Sequence, residues 1–167
     1  MTNRPVYNLR VVSPLGDLLV QGTSDAIQRV GWMAEASPYE AGGGCPLLKD
    51  CAAQLEAYFK GRLSHFDLPL APQGTVFQTR VWQLLEEIPL GSTRSYGELA
   101  NRLNLPNGAR AVGSAVGRNP LLILLPCHRV IGADGSLTGF SSGLQRKAWL
   151  LAHEGVAVDS QLQISGI

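Results

Sequence analysis

The chain is organised around the stretch Leu122-Ile123-Leu124-Leu125-Pro126-Cys127-His128-Arg129-Val130-Ile131. A short aliphatic run of this kind is typical of a buried strand or core segment. Pro126 has no backbone N–H and a fixed φ, so regular strand pairing should stop there. The run therefore predicts that the thiol of Cys127 lies where buried structure ends, which is a rigid place for a reactive group.

The composition predicts a folded protein of one ordinary domain or two small ones. The chain has 167 residues, of which 45% are hydrophobic and 16% are charged, and this balance excludes global disorder. The net charge is +1, but it is unevenly spread. Residues 75–155 carry eight Arg and Lys against five Asp and Glu, whereas residues 1–74 carry six against seven. The basic half contains Cys127, which permits a polyanionic partner without requiring one.

Targeting and metal-binding signals are missing from the sequence. Residues 1–10 are polar and no apolar run is long enough to span a bilayer, so neither a secretory leader nor a membrane segment is expected. Three cysteines in such a chain predict free thiols and a cytoplasmic location. No C-x-x-C spacing occurs, and His65 and His153 lie in no ligand pattern. We therefore expect no metal and no cofactor.

The first 74 residues predict a small antiparallel sheet followed by one helix. The strands are predicted over residues 5–12, 18–21 and 26–33, with turn residues between the first two. Residues 37–44 contain three consecutive glycines and predict a loop. The helix is expected to begin at Pro46, because proline suits the first helical position, and to end at Gly61. Residues 62–74 contain two prolines and predict a linker.

The second half predicts a mainly helical domain that contains a helix-turn-helix. Thr75 and Gln78 have the spacing of a capping box, as do Ser95 and Glu98, and each pair predicts the start of a helix. A further helix is expected over residues 109–116, after a short turn that contains Gly108. The fold class is therefore α/β of the α+β type, with the sheet in the N-terminal part.

Small residues dominate the helix predicted over residues 109–116. Gly113 costs roughly 1 kcal/mol relative to alanine inside a helix, and it predicts that another backbone approaches closely. Tight helix packing alone explains such a composition. Arg110 and Arg118 favour a second interpretation, in which a smooth helix surface presses against a nucleic acid backbone or groove.

The residues after Cys127 predict a long loop, a helix and a tail. Residues 131–143 are rich in glycine and serine, and loops of this length are usually functional or mobile. The helix is expected over residues 144–154, with Gly155 in the C-cap position. Residues 156–167 carry no recognisable pattern and are expected to be peripheral or frayed.

The chemistry of Cys127, His128 and Glu154 predicts a thiol nucleophile. A thiolate is the reactive form, so activation means lowering the pKa of the thiol through a base or a positive charge. In extended structure, neighbouring side chains point to opposite faces, so His128 is expected to act on Cys127 through a water molecule. Glu154 would orient His128, as the third member of a triad does. The residues by themselves leave the substrate open.

Four motifs resemble the O6-alkylguanine-DNA alkyltransferase family. They are residues 95–100 (Ser-Tyr-Gly-Glu-Leu-Ala), residues 109–113 (Ala-Arg-Ala-Val-Gly), Asn119-Pro120, and residues 126–130 (Pro-Cys-His-Arg-Val). Their consistent order makes chance agreement improbable. The resemblance implies a ribonuclease H-like domain with a linker over residues 1–74 and a DNA-binding and catalytic domain over residues 75–167.

The resemblance also implies an activity. It implies a DNA-repair protein, a methylated-DNA-[protein]-cysteine S-methyltransferase, that moves an alkyl group from O6-alkylguanine in double-stranded DNA to Cys127 in a single turnover. O4-alkylthymine is a second candidate substrate. The protein is expected to be a monomer, with cooperative assembly on DNA left open.

Individual residues acquire roles from the same resemblance. The implied catalytic group comprises the nucleophile, its water-mediated base, the orienting carboxylate and the residue that braces the turn: Cys127, His128, Glu154 and Asn119. The extruded base would be bound by Tyr96, Val130 and Ser141. The minor groove would be contacted by Arg110, which fills the gap left by the base, with Ala111, Gly113 and Ser114. Phe140 and Ser142 depart from the family's usual tyrosine and glycine, which puts tolerance for bulky alkyl groups in doubt.

Three other functions compete with this one. A non-catalytic sensor of alkylated DNA would lack the cysteine, whereas Cys127 is present. A helix-turn-helix regulator would need a dimer interface, and the sequence has no leucine-rich dimerisation segment. A cysteine hydrolase would need an oxyanion hole and no DNA-binding hairpin.

Overall fold

The computed structural model describes residues 4–34 and 44–164. The predicted fold class is confirmed, because a small antiparallel sheet and a helix precede a mainly helical part. Apart from Gly44, the loop predicted over residues 37–44 lies outside the described residues. Packing divides the chain into two units, one formed by Met1–Gln73 with Pro120–Leu124 and the other by Gly74–Asn119 with Leu125–Ile167.

The first unit is a three-stranded antiparallel sheet covered by one helix. Its strands, in the order β1-β2-β3, are β1 (Tyr7–Val11), β2 (Leu18–Gly22) and β3 (Ile27–Trp32). Helix α1 (Pro46–Phe59) contacts all three strands. The helix buries one apolar face, as its helical spacing predicts, through Leu48, Cys51, Leu55 and Tyr58.

The outer edge of β3 is covered by two other segments of the first unit. Ile27 donates its N–H to the carbonyl of Pro69 at 2.8 Å, and Ala71 donates to the carbonyl of Ile27 at 2.8 Å. Further along, Val30 donates to the carbonyl of Pro120 at 2.9 Å. Pro69 and Ala71, which lie within the predicted linker, therefore hydrogen-bond the edge of β3. These segments satisfy backbone groups that an open edge would expose.

The described part of the second unit contains four α-helices and a short parallel strand pair. The helices are α2 (Val76–Glu86), α3 (Tyr96–Arg102), α4 (Ala109–Gly117) and α5 (Leu144–His153). Both predicted capping boxes are formed, at Thr75 and at Ser95. Strand β4 (Arg94–Ser95) pairs in parallel with β5 (Val130–Ile131), which joins the start of α3 to the segment after Cys127. Trp82 of α2 donates its indole N–H to the Ala115 carbonyl of α4 at 2.9 Å.

The aliphatic run before Cys127 is a buried core segment but not a strand. Residues 121–130 are all buried, yet Ile123 has a φ of 73°, in the left-handed region that β-branched residues rarely adopt. This residue turns the chain before Pro126. Cys127–Arg129 then form one turn of 3₁₀ helix. The extended backbone expected at Cys127 and His128 is therefore wrong.

The C-terminal tail is ordered against the second unit. Ile131, Leu137 and Leu151 form a buried apolar cluster, and partly buried side chains of the tail pack against it: Val156, Val158, Leu162 and Ile164. Residues 156–164 are therefore peripheral, as one of the two expected alternatives has it, and they are not frayed. In the described part of the chain, no helix has the length and apolarity needed to cross a membrane.

Candidate active site

The thiol of Cys127 is held in a buried turn. Its residue is 4% exposed, and its backbone N–H donates to the Leu125 carbonyl at 2.7 Å. The Asn119 side chain donates to the same carbonyl at 2.8 Å and also hydrogen-bonds the thiol. Asn119 thus braces the turn and contacts the sulfur with one amide group. A buried turn with these bonds leaves the sulfur little freedom to move.

The buried carboxylate of Glu154 hydrogen-bonds both His128 and Arg129. Nε2 of His128 lies 2.7 Å from Oε2 of Glu154. Arg129 donates to both oxygens of the same carboxylate, from Nε at 2.7 Å and from Nη2 at 3.1 Å, and its Nη1 donates to the Ile88 carbonyl at 2.6 Å. Such a forked, buried arrangement fixes the position of Glu154 and, through it, the plane of the imidazole.

The electrostatics of this cluster favour a neutral histidine and an ionised carboxylate. Burial lowers the pKa of His128 below its ordinary value of 6.5, although Glu154 opposes the change. Burial raises the pKa of Glu154, but the hydrogen bonds from His128 and Arg129 and the charge of the guanidinium outweigh it and bring that pKa to about 2. Because His128 is neutral, Arg129 is the cation that keeps Glu154 charged. With Nε2–H donating to Glu154, Nδ1 carries the lone pair.

Nδ1 of His128 is a buried nitrogen with no hydrogen-bond partner among the described residues. The imidazole therefore does not hydrogen-bond the thiol of Cys127 directly. An unpaired acceptor at this depth is unusual, because buried polar atoms are nearly always satisfied. The position and tautomer leave Nδ1 free to accept a proton.

The thiol of Cys127 is neutral in the resting site, contrary to the expected lowering of its pKa. Burial raises the pKa above the ordinary 9.0. The Asn119 hydrogen bond, the charge of Lys147 and the backbone N–H groups of Cys127 and His128 favour the thiolate but do not outweigh burial. A thiol with this pKa needs a base to become a nucleophile.

A buried lysine and a half-buried tyrosine share one acceptor near the thiol. Nζ of Lys147 donates to the Val130 carbonyl at 2.5 Å and to the Thr138 carbonyl at 2.8 Å. The Tyr96 hydroxyl donates to the same Thr138 carbonyl at 2.9 Å, and Lys147 Nζ lies 5.9 Å from the centre of the Tyr96 ring. Burial lowers the pKa of Lys147 to about 8, and it raises the pKa of Tyr96, so the phenol stays protonated.

The remaining residue of the predicted base pocket is less enclosed. Ser141 is exposed in the turn before α5. Gly139 lies between it and Thr138 with a φ of 65°, and a Cβ at that position would come within 3.1 Å of the Tyr96 hydroxyl. Glycine is needed there, because a side chain would strain the backbone and crowd the hydroxyl.

Helix α4 presents its small residues and arginines to solvent. Val112, Ala115 and Val116 are buried, whereas the opposite face is exposed and carries Arg110, Ala111, Ser114, Gly117 and Arg118. Within the described chain, the neighbour closest to Gly113 is a side chain and not another backbone. The nearest atoms to a Cβ there belong to the Tyr96 ring, at 3.6 Å and 3.7 Å, which is an ordinary contact distance.

Two residues of the site, Arg129 and Lys147, are not among the predicted catalytic or binding residues. The sequence did contain a signal for Lys147, because Lys147, Leu150, Leu151 and Glu154 follow helical spacing on the buried face of α5 and at its C-cap. A charge on an apolar helix face usually has a buried partner.

Among the described residues, no group of three or more His, Cys, Asp or Glu side chains could hold a metal ion.

Comparison with known proteins identifies the family. The family models described as the ribonuclease-like domain and the DNA binding domain of 6-O-methylguanine DNA methyltransferase match residues 6–72 and 76–156. A methylated-DNA–protein-cysteine methyltransferase of Methanosarcina acetivorans is 46% identical over 147 residues, covering 86% of this chain and 94% of that protein. The protein of the same name from Mycobacterium leprae is 44% identical and covers 85% and 88%.

Solved structures agree with these relatives. The crystal structure of Mycobacterium tuberculosis O6-methylguanine methyltransferase matches with a TM-score of 0.82 at 41% identity, covering 90% of this chain and 93% of that one. A structure of M. tuberculosis OGT in complex with DNA matches with a TM-score of 0.80 at 43% identity, covering 88% and 91%. The resemblance expected from the four motifs is confirmed, and the chain belongs to the 6-O-methylguanine DNA methyltransferase family.

Proposed function

We propose that this protein repairs DNA by transferring one alkyl group from O6-alkylguanine to the sulfur of Cys127. The observation that carries the proposal is the buried thiol of Cys127 beside a neutral His128 that is hydrogen-bonded to Glu154. The M. tuberculosis relative in complex with DNA supports DNA as the partner, and the double-stranded form is part of the proposal. Cytoplasmic location, a monomeric state and the division into domains at residues 74 and 75 belong to the same proposal.

The transfer step requires a proton to leave the thiol before the sulfur attacks. We infer that Nδ1 of His128 accepts this proton through a water molecule, since the imidazole makes no direct bond to the sulfur. Glu154 and Arg129 hold the ring, and the carboxylate stabilises the imidazolium that forms. Asn119 and Lys147 favour the thiolate at the moment it appears.

The thiolate then displaces guanine from the alkyl carbon. An S–C bond forms, the C–O6 bond breaks, and the electron pair passes to the guanine oxygen. Proton donation to the leaving base lowers the barrier, and the protonated phenol of Tyr96 is suited to this role after its hydroxyl turns from Thr138. The proton that His128 took from the thiol then returns to the tyrosinate through water, so guanine leaves neutral and both side chains regain their resting forms. The thioether product has no good leaving group, so each molecule acts once. The bonds formed and broken in this transfer require no cofactor.

The DNA contact is assigned to the exposed face of α4. The small residues of this face allow close approach to a DNA groove. Arg110, near the N-terminal end of α4, is exposed to solvent. Ala111, Gly113 and Ser114 complete this surface, and Arg110 would occupy the space left by the extruded base. Val130 and Ser141 are assigned to the base pocket with Tyr96.

Intact-mass measurement tests the proposed function. The protein is incubated with an excess of duplex DNA that contains one O6-methylguanine. We expect the mass to increase by one methyl group, the reaction to stop at one equivalent, and peptide mapping to place the group on Cys127. Binding of the duplex without any change in mass would refute alkyl transfer and favour a non-catalytic sensor.

Arg110→Ala is expected to slow repair of methylated duplex DNA by about tenfold. Reaction with a free O6-alkylguanine base should change much less, because a free base needs no extrusion from a helix. The control is Arg29→Ala, which removes an equal charge from an exposed position on β3. Equal losses with both substrates would contradict the groove assignment, as would equal effects of the two variants on the duplex.

A further inference from the structure

We propose that residues 156–164, here called the C-terminal strap, position the reactive groups of the site, with Leu162 and Gln163 as the positioning residues. The proposal rests on the proposed function, because it concerns the rate of alkyl transfer. The strap touches the glycine- and serine-rich loop, residues 131–143, at a point one residue away from the Thr138 carbonyl that Tyr96 and Lys147 share.

Three hydrogen bonds fasten the loop to the strap. Leu137 donates its N–H to the Leu162 carbonyl at 2.9 Å, and Ile164 donates to the Gly135 carbonyl at 2.9 Å. The side chain of Gln163 donates from Nε2 to the Asp134 carbonyl at 2.9 Å. These bonds cover three of the four loop residues from Asp134 to Leu137, so the strap holds this part of the loop along its length.

The strap has a shape of its own. One oxygen of Asp159 accepts from the backbone N–H groups of Gln161 at 2.9 Å and Gln163 at 3.0 Å. Leu162, between these two residues, has a φ of 58°, a conformation that residues with a branched or bulky side chain rarely adopt. Its side chain packs against the apolar cluster of Ile131, Leu137 and Leu151. In this conformation Leu162 places its side chain against the apolar cluster, and its carbonyl accepts the hydrogen bond from the Leu137 N–H.

The contact between the strap and Leu137 affects the reactive groups through the next residue, Thr138. Leu137 is 4% exposed and fixed by the strap, whereas the next residues, Thr138 and Gly139, are exposed. The Thr138 carbonyl nevertheless accepts from both the Tyr96 hydroxyl and Lys147 Nζ. Displacement of Leu137 would therefore move the acceptor that aims the phenol and the ammonium. Small misplacements of such groups lower reaction rates strongly.

Single-turnover kinetics test the strap. Because each molecule reacts once, the amplitude counts active molecules and the rate constant reports the reactivity of each. At saturating O6-methylguanine duplex, Leu162→Ala and a chain that ends at Gly155 are expected to lower the rate constant about tenfold or more. Gln163→Ala removes one hydrogen bond and should lower it about threefold. The amplitude and the half-saturating duplex concentration should stay unchanged, since the α4 surface is not altered.

Gln161→Ala is the matched control, because Gln161 uses only its backbone N–H in the strap. It should react at the wild-type rate. Unchanged rate constants in Leu162→Ala and Gln163→Ala would overturn the proposal, whatever the folding of the shortened chain. Loss of amplitude at an unchanged rate constant would also overturn it, since that result indicates a purely structural role. The wild-type measurement tests the proposed function separately. If the wild-type protein transfers no methyl group, the proposed function is refuted.

Discussion

Cys127→Ala is expected to abolish alkyl transfer completely while leaving the fold and the binding of duplex DNA intact. Cys127 directly precedes His128 of the His128–Glu154 pair and is the thiol that the proposed transfer uses. The side chain is small and buried, and its loss should cost only about 1 kcal/mol of folding free energy. The exposed face of α4 does not include Cys127, so affinity for unmodified duplex should stay the same.

The control for this variant is Cys51→Ala. Cys51 is also a buried free thiol, on α1, and burial raises its pKa to about 12. Its removal should leave methyl transfer at the wild-type rate and stoichiometry. The measurement is intact mass with a methylated duplex, together with thermal unfolding and a binding titration. Methyl addition to Cys127→Ala, or its loss in Cys51→Ala, would show that the nucleophile has been wrongly assigned.

Glu154→Gln is expected to lower both the stability of the protein and the rate of alkyl transfer. The buried carboxylate accepts hydrogen bonds from Arg129 and His128, and glutamine would leave the guanidinium without a counter-charge. Breaking a buried ion pair in this way costs about 3–5 kcal/mol. The transfer rate should fall by about a hundredfold or more, because the histidine loses the group that fixes its tautomer.

The matched control is Glu87→Gln. Glu87 pairs with Arg102 at 2.5 Å, but both side chains are more than half exposed, and such pairs contribute less than about 1 kcal/mol. Urea unfolding at pH 7 gives the comparison of stability, and single-turnover kinetics give the rates. Similar losses of stability in the two variants would contradict the role assigned to the buried pair.

The same carboxylate predicts how stability depends on pH. The pKa of Glu154 is about 2 in the folded protein against an ordinary 4.5, so its contribution is complete above pH 4.5 and is lost as the pH falls toward 2. The lowered pKa of His128 acts in the same direction, because the unfolded chain takes up a proton below its ordinary pKa of 6.5. The difference in stability between wild type and Glu154→Gln should therefore shrink in acid.

Much of the second unit could be predicted because its signals are local. The capping boxes at Thr75 and Ser95 each lie within four consecutive residues, and both are formed. In the first unit, Pro46 likewise predicted the residue at which α1 begins. The aliphatic run before Cys127 was ambiguous, since burial without alternation suits a strand or an irregular core segment equally. The positive φ of Ile123 turns the chain, so the run is an irregular core segment and not a strand.

Pairings between distant residues could not be predicted in the same way. The bridge between Val30 and Leu121, the β4–β5 pair and the ordered tail each join segments whose own sequences show no preference for the partner. The tail illustrates this best. Residues 156–164 have no periodic pattern, and they are ordered because Leu162 and its neighbours meet an apolar cluster supplied by other segments.

By itself, the sequence determined where the helices begin and singled out Cys127 as the proposed nucleophile, because these follow from local spacing and from motifs in a consistent order. Only the tertiary structure decided the ionisation of the site. His128 and Glu154 meet across 26 positions of sequence, and burial makes the thiol of Cys127 and the imidazole neutral at rest. Charge states depend on desolvation and on partners brought together by folding, and no local pattern records either.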